Sequence, residues 1–313
     1  MNYYPVFIPT LNRYTHFRRC VESLARNTHA DKTELVIGLD YPPSKKYEEG
    51  YFKIKEYISS ITGFKKVTVF ERQKNLGPVN NFTALKDYVF NYYDAVICTE
   101  DDNEFSPCFL DFMNKALNNF GMNPRISSVS GYLSQNFMGK IGCKVMLSYD
   151  NNAWGIGLWK SKEQIYDSYS DEDFKKIILS TRLSYKIFSV CPGILSMLIE
   201  MVKKRQSWGD VKRSVLNIVN GTYQLRPSFS LSRNTGYDGT GIHCGTSDVD
   251  DLAHQTISED SFFDCDFSDV ADVNNPVVKK QMFLHCLPSG YMAQKKFLLF
   301  LILRYIKLRF RLL

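Results

Sequence analysis

The sequence of 313 residues has little of what marks metal-thiolate, secreted or membrane-spanning proteins. Its eight cysteines are scattered without a CxxC pair, so we predict neither a zinc site nor a thioredoxin-like site. No run of about 18 apolar residues occurs, which predicts no membrane-spanning helix. The first residues lack a basic stretch followed by an apolar core, so we expect no signal peptide. These absences favour a reducing, cytoplasmic location with free thiols.

Acidic residues are missing from the last part of the chain, which carries only basic charges: Lys295, Lys296, Arg304, Lys307, Arg309 and Arg311. The net charge of the whole chain is only +6, so this local excess indicates an anionic membrane surface rather than a nucleic acid as partner. Residues 297–313 begin with seven apolar residues and then mix apolar with basic ones. We predict a basic amphipathic helix lying on a membrane. The alternative is a helix docked on the protein, with its basic residues outward.

Apolar stretches of strand length alternate with helical patterns through the first hundred residues. Strands are predicted at 5–9, 34–40, 66–70 and from Ala95, and helices at 15–26, 47–62 and 79–92. This alternation predicts an α/β fold in which helices flank a mostly parallel sheet with right-handed crossovers. Asp40 and the acids after Cys98 each follow a strand, so we expect them at the same edge of the sheet.

The segment from Ala95 to Asn103 is the centre of the prediction. Its apolar start predicts a strand buried on both faces, and three adjacent acids follow: Glu100, Asp101 and Asp102. Adjacent carboxylates repel one another unless water or a cation neutralises them. At the carboxyl end of a strand they face the ligand crevice of an open α/β sheet, where oxygen ligands suit a hard divalent cation. The alternative is an acidic turn that caps the helix that follows.

The rest of the chain predicts helices at 109–120, 171–180, 186–204 and 211–220, with a connector at 181–185. Strands are predicted at 126–130 and 143–147, and an extended segment at 225–231. Residues 152–159, where glycines and tryptophans alternate, predict a bend beneath a ligand, or else aromatic packing at a sheet edge. Residues 234–243 are rich in glycine and predict a flexible or tightly turning loop, followed by an acidic, partly ordered cover.

Four segments resemble nucleotide-sugar-dependent glycosyltransferases of the GT-A fold: residues 11–20, 35–40, 96–109, and 208–210 followed by 241–243. In order and approximate spacing they are similar to the N-acetylglucosaminyltransferase I family and related bacterial sugar transferases, over roughly residues 3–250. The resemblance implies a GT-A, Rossmann-like domain over residues 1–288, with a nucleotide-binding half to about residue 105 and an acceptor half after it. A membrane-associating tail of residues 289–313 would follow.

The resemblance also implies a role for each candidate residue. Asp102 and His243 would hold Mn²⁺ or Mg²⁺, and Asp210 would be the catalytic base. The nucleotide sugar would be bound by Thr10, Arg13, Asp40, Glu100 and Asp101. Gly209 and Val211 depart from the family pattern, which has an acid before the base and an aromatic residue after it. Asp238 and Asp250 therefore stay open as alternative bases.

The resemblance thus implies a metal-dependent, inverting hexosyltransferase. It would pass a sugar from a UDP-sugar to a glycan or lipid-linked glycan during surface polysaccharide or glycoconjugate synthesis, at the inner face of the cell membrane. One alternative is a nucleotidyltransferase, which would carry a glycine-rich basic loop after the first strand, whereas residues 9–13 contain no glycine. Another is a non-catalytic, nucleotide-sugar-binding membrane adaptor, because a fold by itself does not imply catalysis.

Overall fold

The computed structural model describes residues 1–135, 138, 144–239, 255–264, 267–268, 270–271, 279–280, 283, 287–288 and 290–312. The strands are β1 (Val6–Thr10), β2 (Glu34–Leu39), β3 (Lys66–Glu71), β4 (Ala95–Cys98), β5 (Asn103–Phe105), β6 (Ile126–Ser130), β7 (Val145–Ser148), β8 (Ile156–Trp159), β9 (Tyr223–Pro227), β10 (Ser232–Asn234) and β11 (Val270–Ala271). The helices are α1 (Tyr14–Ala25), α2 (Glu48–Ile58), α3 (Gly77–Phe90), α4 (Phe109–Phe120), α5 (Lys160–Asp167), α6 (Asp171–Leu179), α7 (Thr181–Val190), α8 (Pro192–Lys204), α9 (Gly209–Asn220) and the C-terminal helix (Tyr291–Leu312). Single 3₁₀ turns lie at Ala30–Lys32 and Lys45–Tyr47.

A nine-stranded mixed sheet organises the described chain in the order β3-β2-β1-β4-β8-β6-β9-β7-β11. The first four strands are parallel, with β1 between β2 and β4. β8 is antiparallel to both of its neighbours, β4 and β6. β6 pairs in parallel with β9, β9 pairs antiparallel with β7, and β5 and β10 form a separate antiparallel ribbon. The predicted mixed, mostly parallel sheet flanked by helices is confirmed.

Alternating side chains of the central strands build a core on each face of the sheet, as a fully buried parallel strand requires. On β1, Val6 and Ile8 pack in one core with Phe17 of α1, whereas Phe7 packs in the other core with Leu85 of α3. Each of these side chains is fully buried. Burying one such side chain contributes about 1.5–3 kcal/mol, so both cores fix β1 in register at the centre of the sheet.

The prediction for residues 152–159 is wrong over its second half, which is neither a bend nor a sheet edge. Residues 156–159 form β8, a buried strand at the centre of the sheet. Gly157 gives it an unusual composition for a strand, and the packing explains why. A Cβ atom at Gly157 would lie 3.0 Å from Met113 Cε and 3.1 Å from Leu117 Cδ2, so a larger residue would require these side chains of α4 to shift by a few tenths of an ångström.

The predicted helix at 186–204 is two helices, and the predicted connector at 181–185 is the first half of α7. The break falls at Cys191, whose backbone is extended, and Pro192 opens α8 in its first turn. Proline has no N–H to continue the hydrogen bonds of α7 but is well suited to start a new helix. Cys20, Cys98 and Cys108 are buried free thiols. Cys191 is disulfide-bonded, so the prediction of free thiols is wrong for this residue.

The predicted C-terminal helix is confirmed and docks on a helical layer that has its own core. Leu301 and Leu308 are buried in this core with side chains of α6 to α9. Arg304 forms an ion pair with Glu200 of α8, and the hydroxyl of Tyr305 donates to the Ile178 carbonyl at 3.1 Å. Within the described residues, no helix combines the length and the apolar character needed to span a membrane.

Candidate active site

The strand order reverses at β1, which has β2 on one side and β4 on the other. In open α/β sheets, the crevice beyond the carboxyl ends of the strands at such a switch point is the usual place for a ligand. Thr10 is the last residue of β1, and Glu100, Asp101 and Asp102 follow β4. The parallel register therefore brings the segment after β1 and the acidic segment to the same crevice.

Side chains of these two segments are in direct contact. Thr10 Oγ1 donates to Asp101 Oδ2 at 2.8 Å. Arg13, the residue just before α1, forms ion pairs with both Asp101 and Asp102, and its Nη1 lies 2.8 Å from Asp102 Oδ2. Asp101 and Asp102 are 7% and 5% exposed. One arginine at the start of α1 thus offsets the charge of two buried aspartates.

Burial and charge oppose each other at this ion pair. For Arg13, burial disfavours the guanidinium charge, but attraction from Asp101 and Asp102 is stronger and raises the pKa. For Asp101, burial raises the pKa, and the nearby charge of Arg13 offsets only part of that effect. Because one arginine faces several acids, the site has an excess of negative charge that a cation would relieve.

The segment after β10 closes over Asp102 from the other side. Asn234 Nδ2 donates to Asp102 Oδ1 at 2.8 Å, and the Thr235 N–H donates to the Asp102 carbonyl at 2.7 Å. A Cβ atom at Gly236 would lie 2.3 Å from Asp102 Oδ2, so this position accepts only glycine without displacing the carboxylate. The ribbon of β5 and β10 holds this contact in place, because its register pairs Asn234 with Asn103.

The charge of Asp210, on α9, acts on Glu100 of the acidic segment. The side chain of Glu100 is accessible to solvent, but many protein atoms surround it. This combination is typical of a residue that lines a cleft. Burial raises the pKa of Glu100 to about 8, with further contributions from the charges of Asp102, Asp210 and Asp101. The charge of Asp210 is one cause of this shift, so the predicted base on α9 lies within electrostatic range of the acidic segment.

Asp210 lies in the first turn of α9, one residue after Gly209 and two after Trp208, which occupies the N-cap position. Its Oδ1 accepts a hydrogen bond from Asn151 Nδ2 at 3.1 Å. Burial raises the pKa of Asp210, while this hydrogen bond and the charges of Arg213 and Arg226 act in the opposite direction. A carboxylate with a raised pKa, open to a cleft, is suited to accept a proton near neutral pH.

The Asp40 carboxylate is bound to the start of α3. It accepts hydrogen bonds from the backbone N–H groups of Leu76 at 2.8 Å and Gly77 at 2.9 Å, and from Asn75 Nδ2 at 3.2 Å. Asp40 therefore satisfies N–H groups at the N-terminus of a helix, where an anion is favourable. Its predicted contact with the nucleotide stays a prediction.

His243 and the alternative base Asp250 lie outside the described residues. The other alternative, Asp238, contacts α1, where its Oδ2 is 3.1 Å from His16 Nε2. Sequence reasoning missed the side chains that enclose the two central acids, Asn151 at Asp210 and Asn234 at Asp102. The glycine-rich composition after Asn234 was the available signal, because a loop without side chains allows close approach to a site.

The acids suit a divalent cation that is bound together with a diphosphate. No three described His, Cys, Asp or Glu side chains form a complete metal cluster by themselves. Among the described residues, Asn234 contacts one carboxylate oxygen of Asp102 and Arg13 the other, and each oxygen has two lone pairs. Mg²⁺ commonly takes one or two carboxylates and completes its shell with substrate phosphates and water. The residues present therefore fit such a cation, and Asp102 stays its predicted protein ligand.

No protein-family model and no curated protein matches the chain. Among solved structures, it is similar to S. aureus TarS, with a TM-score of 0.38 and 16% identity over 54% of this chain and 30% of that chain. It is also similar to the mannosyltransferase PcManGT from Pyrobaculum calidifontis in complex with GDP-Man and Mn²⁺, with a TM-score of 0.41 and 11% identity over 69% of this chain and 68% of that chain. Mouse xyloside xylosyltransferase 1 gives a TM-score of 0.40 and 10% identity over 71% of this chain and 83% of that chain.

Two of these three structures are sugar transferases by name, which is the class that the sequence resembles. The particular resemblance to the N-acetylglucosaminyltransferase I family stays a prediction. The matched region is less than a third of the TarS chain. Because all three TM-scores are low, we argue the function of this chain from its own side chains.

Proposed function

We propose that the chain is a metal-dependent glycosyltransferase that moves a sugar from a UDP-sugar to a glycan acceptor, with inversion at the anomeric carbon. The observation that carries the proposal is that the charge of Asp210 acts on Glu100, which lies next to Asp101 and Asp102 at the switch point of the sheet. One group of acids suits a cation and a donor, and one separate carboxylate with a raised pKa suits a base. This division of roles is what a displacement at a nucleotide sugar requires.

On the donor side, Thr10, Arg13 and Asp101 form a rigid wall against which the nucleotide is positioned. Asp102 holds the cation, and Glu100 and Asp40 are the hydrogen-bonding groups toward the sugar and the nucleoside. When bound, the cation supplies Lewis-acid stabilisation of the leaving diphosphate. His243 is the proposed second metal ligand.

On the acceptor side, Asp210 takes the proton of the attacking hydroxyl group. The acceptor oxygen forms a bond to the anomeric carbon while the bond from that carbon to the diphosphate oxygen breaks. The proton moves to the Asp210 carboxylate, and the electron pair leaves with the diphosphate. One displacement on the face opposite the leaving group inverts the configuration, so one base is sufficient.

The test is a screen of UDP-sugars and GDP-sugars with Mn²⁺, in which release of the nucleoside diphosphate is measured with and without EDTA. We expect one donor to be consumed, and EDTA to stop its consumption. If no donor is consumed but one binds, the alternative of a non-catalytic adaptor is favoured. Release of pyrophosphate from a nucleoside triphosphate would favour the nucleotidyltransferase instead.

We also propose that the C-terminal helix binds an anionic membrane surface, where a lipid-linked acceptor would lie. The helix is apolar on two opposite faces. Leu301 and Leu308 are buried against the protein, whereas a second stripe at helical spacing is exposed: Leu299, Leu303, Ile306 and Phe310. Exposed basic residues flank this stripe: Lys295, Lys296, Lys307 and Arg311. An apolar stripe with basic borders matches the interface of an anionic bilayer better than it matches water.

A further inference from the structure

A buried polar chain that the proposed reaction does not use runs from β9 to Asp210. It starts at Arg226, which is only 2% exposed and is one of the largest fully buried side chains of the protein. Arg226 Nε donates to Gln224 Oε1 at 3.0 Å. Its Nη2 donates to the Asp150 carbonyl at 2.8 Å and lies 3.0 Å from Asp150 Oδ2. A buried charge needs such partners. Because burying the guanidinium group of Arg226 costs desolvation free energy, packing alone does not explain its position.

The groups around Gln224 fix the orientation of its amide. Gln224 Oε1 receives hydrogen bonds from Arg226 Nε and from the backbone N–H of Asn152, both at 3.0 Å. Neither of these groups can accept a hydrogen bond, so the amide atom that faces them must be the oxygen. The Nε2 group of Gln224 therefore points the other way, and it donates to Asn151 Oδ1 at 2.9 Å.

This orientation is passed on to the next amide. Because Asn151 Oδ1 accepts from Gln224, its Nδ2 group must face Asp210, where it donates to Oδ1 at 3.1 Å. Oδ2 of Asp210 has no hydrogen-bond partner among the residues that the structure describes. The loop itself is attached separately, because the Asn151 N–H donates to Ser214 Oγ at 2.7 Å and this hydroxyl donates to the Asp210 carbonyl at 2.7 Å.

We propose that Arg226, Gln224 and Asn151 form a polarised relay that presents an N–H donor to Asp210 Oδ1 and reserves Oδ2 for the acceptor hydroxyl. Asn151 and Gln224 are thus positioning residues, and their role rests on the proposed function of Asp210 as the base. The relay favours the ionised form of Asp210 in a site where burial disfavours it. Other charged or titratable groups that act on Asp210 come from several elements: Arg213 on α9, Asp150 after β7, Glu100 after β4 and Tyr166 on α5.

The variant Gln224→Glu tests the relay with almost no change of shape. Its carboxylate offers only acceptors to Asn151, so the Asn151 amide turns over and presents its carbonyl oxygen to Asp210. The acid limb of the profile of kcat/KM against pH then moves to higher pH. The reason is that ionised Asp210 has lost its hydrogen-bond donor and instead faces the partial negative charge of the Asn151 carbonyl oxygen. We expect kcat/KM to fall about tenfold at pH 6 and to recover to within about threefold of the wild-type value at pH 8.

Asn151→Asp is the second variant, because it leaves the backbone attachment to Ser214 in place. It puts a second carboxylate beside Asp210, and the acid limb of kcat/KM again moves to higher pH. Asn217→Asp is the matched control. Asn217 is a buried amide on the same helix, but it bonds to the Tyr149 carbonyl and to Thr222 rather than to Asp210. This control is expected to lower the melting temperature without moving the acid limb.

Two results separate the relay from the proposed function. If Asp210→Asn keeps full turnover, Asp210 is not the base, and the proposed function fails at that residue. If Asp210→Asn is inactive but the pH profiles of Gln224→Glu and Asn151→Asp coincide with the wild-type profile, the base is right and the relay is wrong. If the acid limb moves to higher pH in Gln224→Glu and in Asn151→Asp, but not in Asn217→Asp, the relay is established.

Discussion

At the scale of single residues, Asp102 is enclosed by groups from distant parts of the chain. Arg13 approaches one oxygen of its carboxylate, and Asn234 donates to the other. Gly236 passes so close that a single added methyl group would meet the carboxylate. The position of the proposed metal ligand therefore depends on residues that are not themselves ligands.

Gly236→Ala is expected to lower donor turnover at least about tenfold, since misplacing a reacting group by about 1 Å costs that much or more. The reason is that the new Cβ, 2.3 Å from Asp102 Oδ2, must push the carboxylate aside. Turnover of the donor and the melting temperature measure the effect. Gly209→Ala is the control, because an added Cβ there meets nothing within 4 Å. Equal turnover in both variants would contradict the assigned position of Asp102.

Asp40 and Asp102 show why roles at this scale are hard to predict from sequence. Both follow a buried strand at the same edge of the sheet. The Asp40 carboxylate is turned toward N–H groups of Leu76 and Gly77, whereas Asp102 faces Arg13. The strand pattern predicts the sheet edge at which an acidic residue lies. The direction in which its carboxylate points is set by partners that are distant in sequence.

At the scale of elements, Lys162 of α5 stabilises the end of α4. Its amine donates to the carbonyls of Phe120, Asn123 and Ile126 and lies 3.7 Å from the centre of the Trp159 ring. Burial lowers the pKa of Lys162 to about 8. A cation at the C-terminus of a helix also interacts favourably with the helix dipole, so this lysine ties α5 to α4.

Lys162→Met is expected to lower the free energy of unfolding by about 1–3 kcal/mol, because it removes the hydrogen bonds of the amine to three carbonyl groups at the end of α4. Chemical denaturation at pH 7 measures the change. Lys160→Met, on the same helix, is the control, since the Lys160 amine forms no hydrogen bond or ion pair with the described residues. An equal loss in both variants would show that the contacts of Lys162 contribute nothing specific.

Membrane binding by the exposed stripe of the C-terminal helix is best tested by substitutions rather than by deletion of the helix. Removing the whole helix would also remove Leu301 and Leu308 from the helical core, so that lost membrane binding and lost folding would be confused. The double variant Leu303→Ser and Phe310→Ser changes two side chains that are 58% and 79% exposed. We expect it to abolish sedimentation with vesicles containing anionic lipid and to leave the melting temperature nearly unchanged.

Met122→Ser is the control for the stripe, because Met122 is 97% exposed and lies outside the C-terminal helix. This variant should sediment with anionic vesicles as the wild-type protein does. High salt should weaken the binding, since the basic borders act through screened charges. If the double variant still sediments fully, or if neutral vesicles bind equally well, the membrane proposal is wrong.

At the scale of the whole molecule, the first half of the sheet could be predicted because its strands and helices alternate regularly along the chain. The second half could not. β8 crosses the centre of the sheet antiparallel to its neighbours and contains a glycine against which α4 packs tightly. The charge interaction of Asp210 with Glu100 depends on how α9 packs, which no local pattern encodes. The resemblance to glycosyltransferases predicted Glu100 and Asp210 as site residues, but it did not predict the amide side chains near Asp210.

The most direct test of the central claim is metal-dependent turnover of the nucleotide sugar by Asp102→Ala, compared with the wild-type protein. Release of UDP, or of the diphosphate of the accepted donor, is followed across a Mn²⁺ titration, and circular dichroism checks the fold. We expect the wild-type protein to turn over the donor in a manner that EDTA abolishes. Asp102→Ala should stay folded and inactive at every Mn²⁺ concentration. A folded Asp102→Ala protein with wild-type turnover and the same Mn²⁺ dependence would contradict the account.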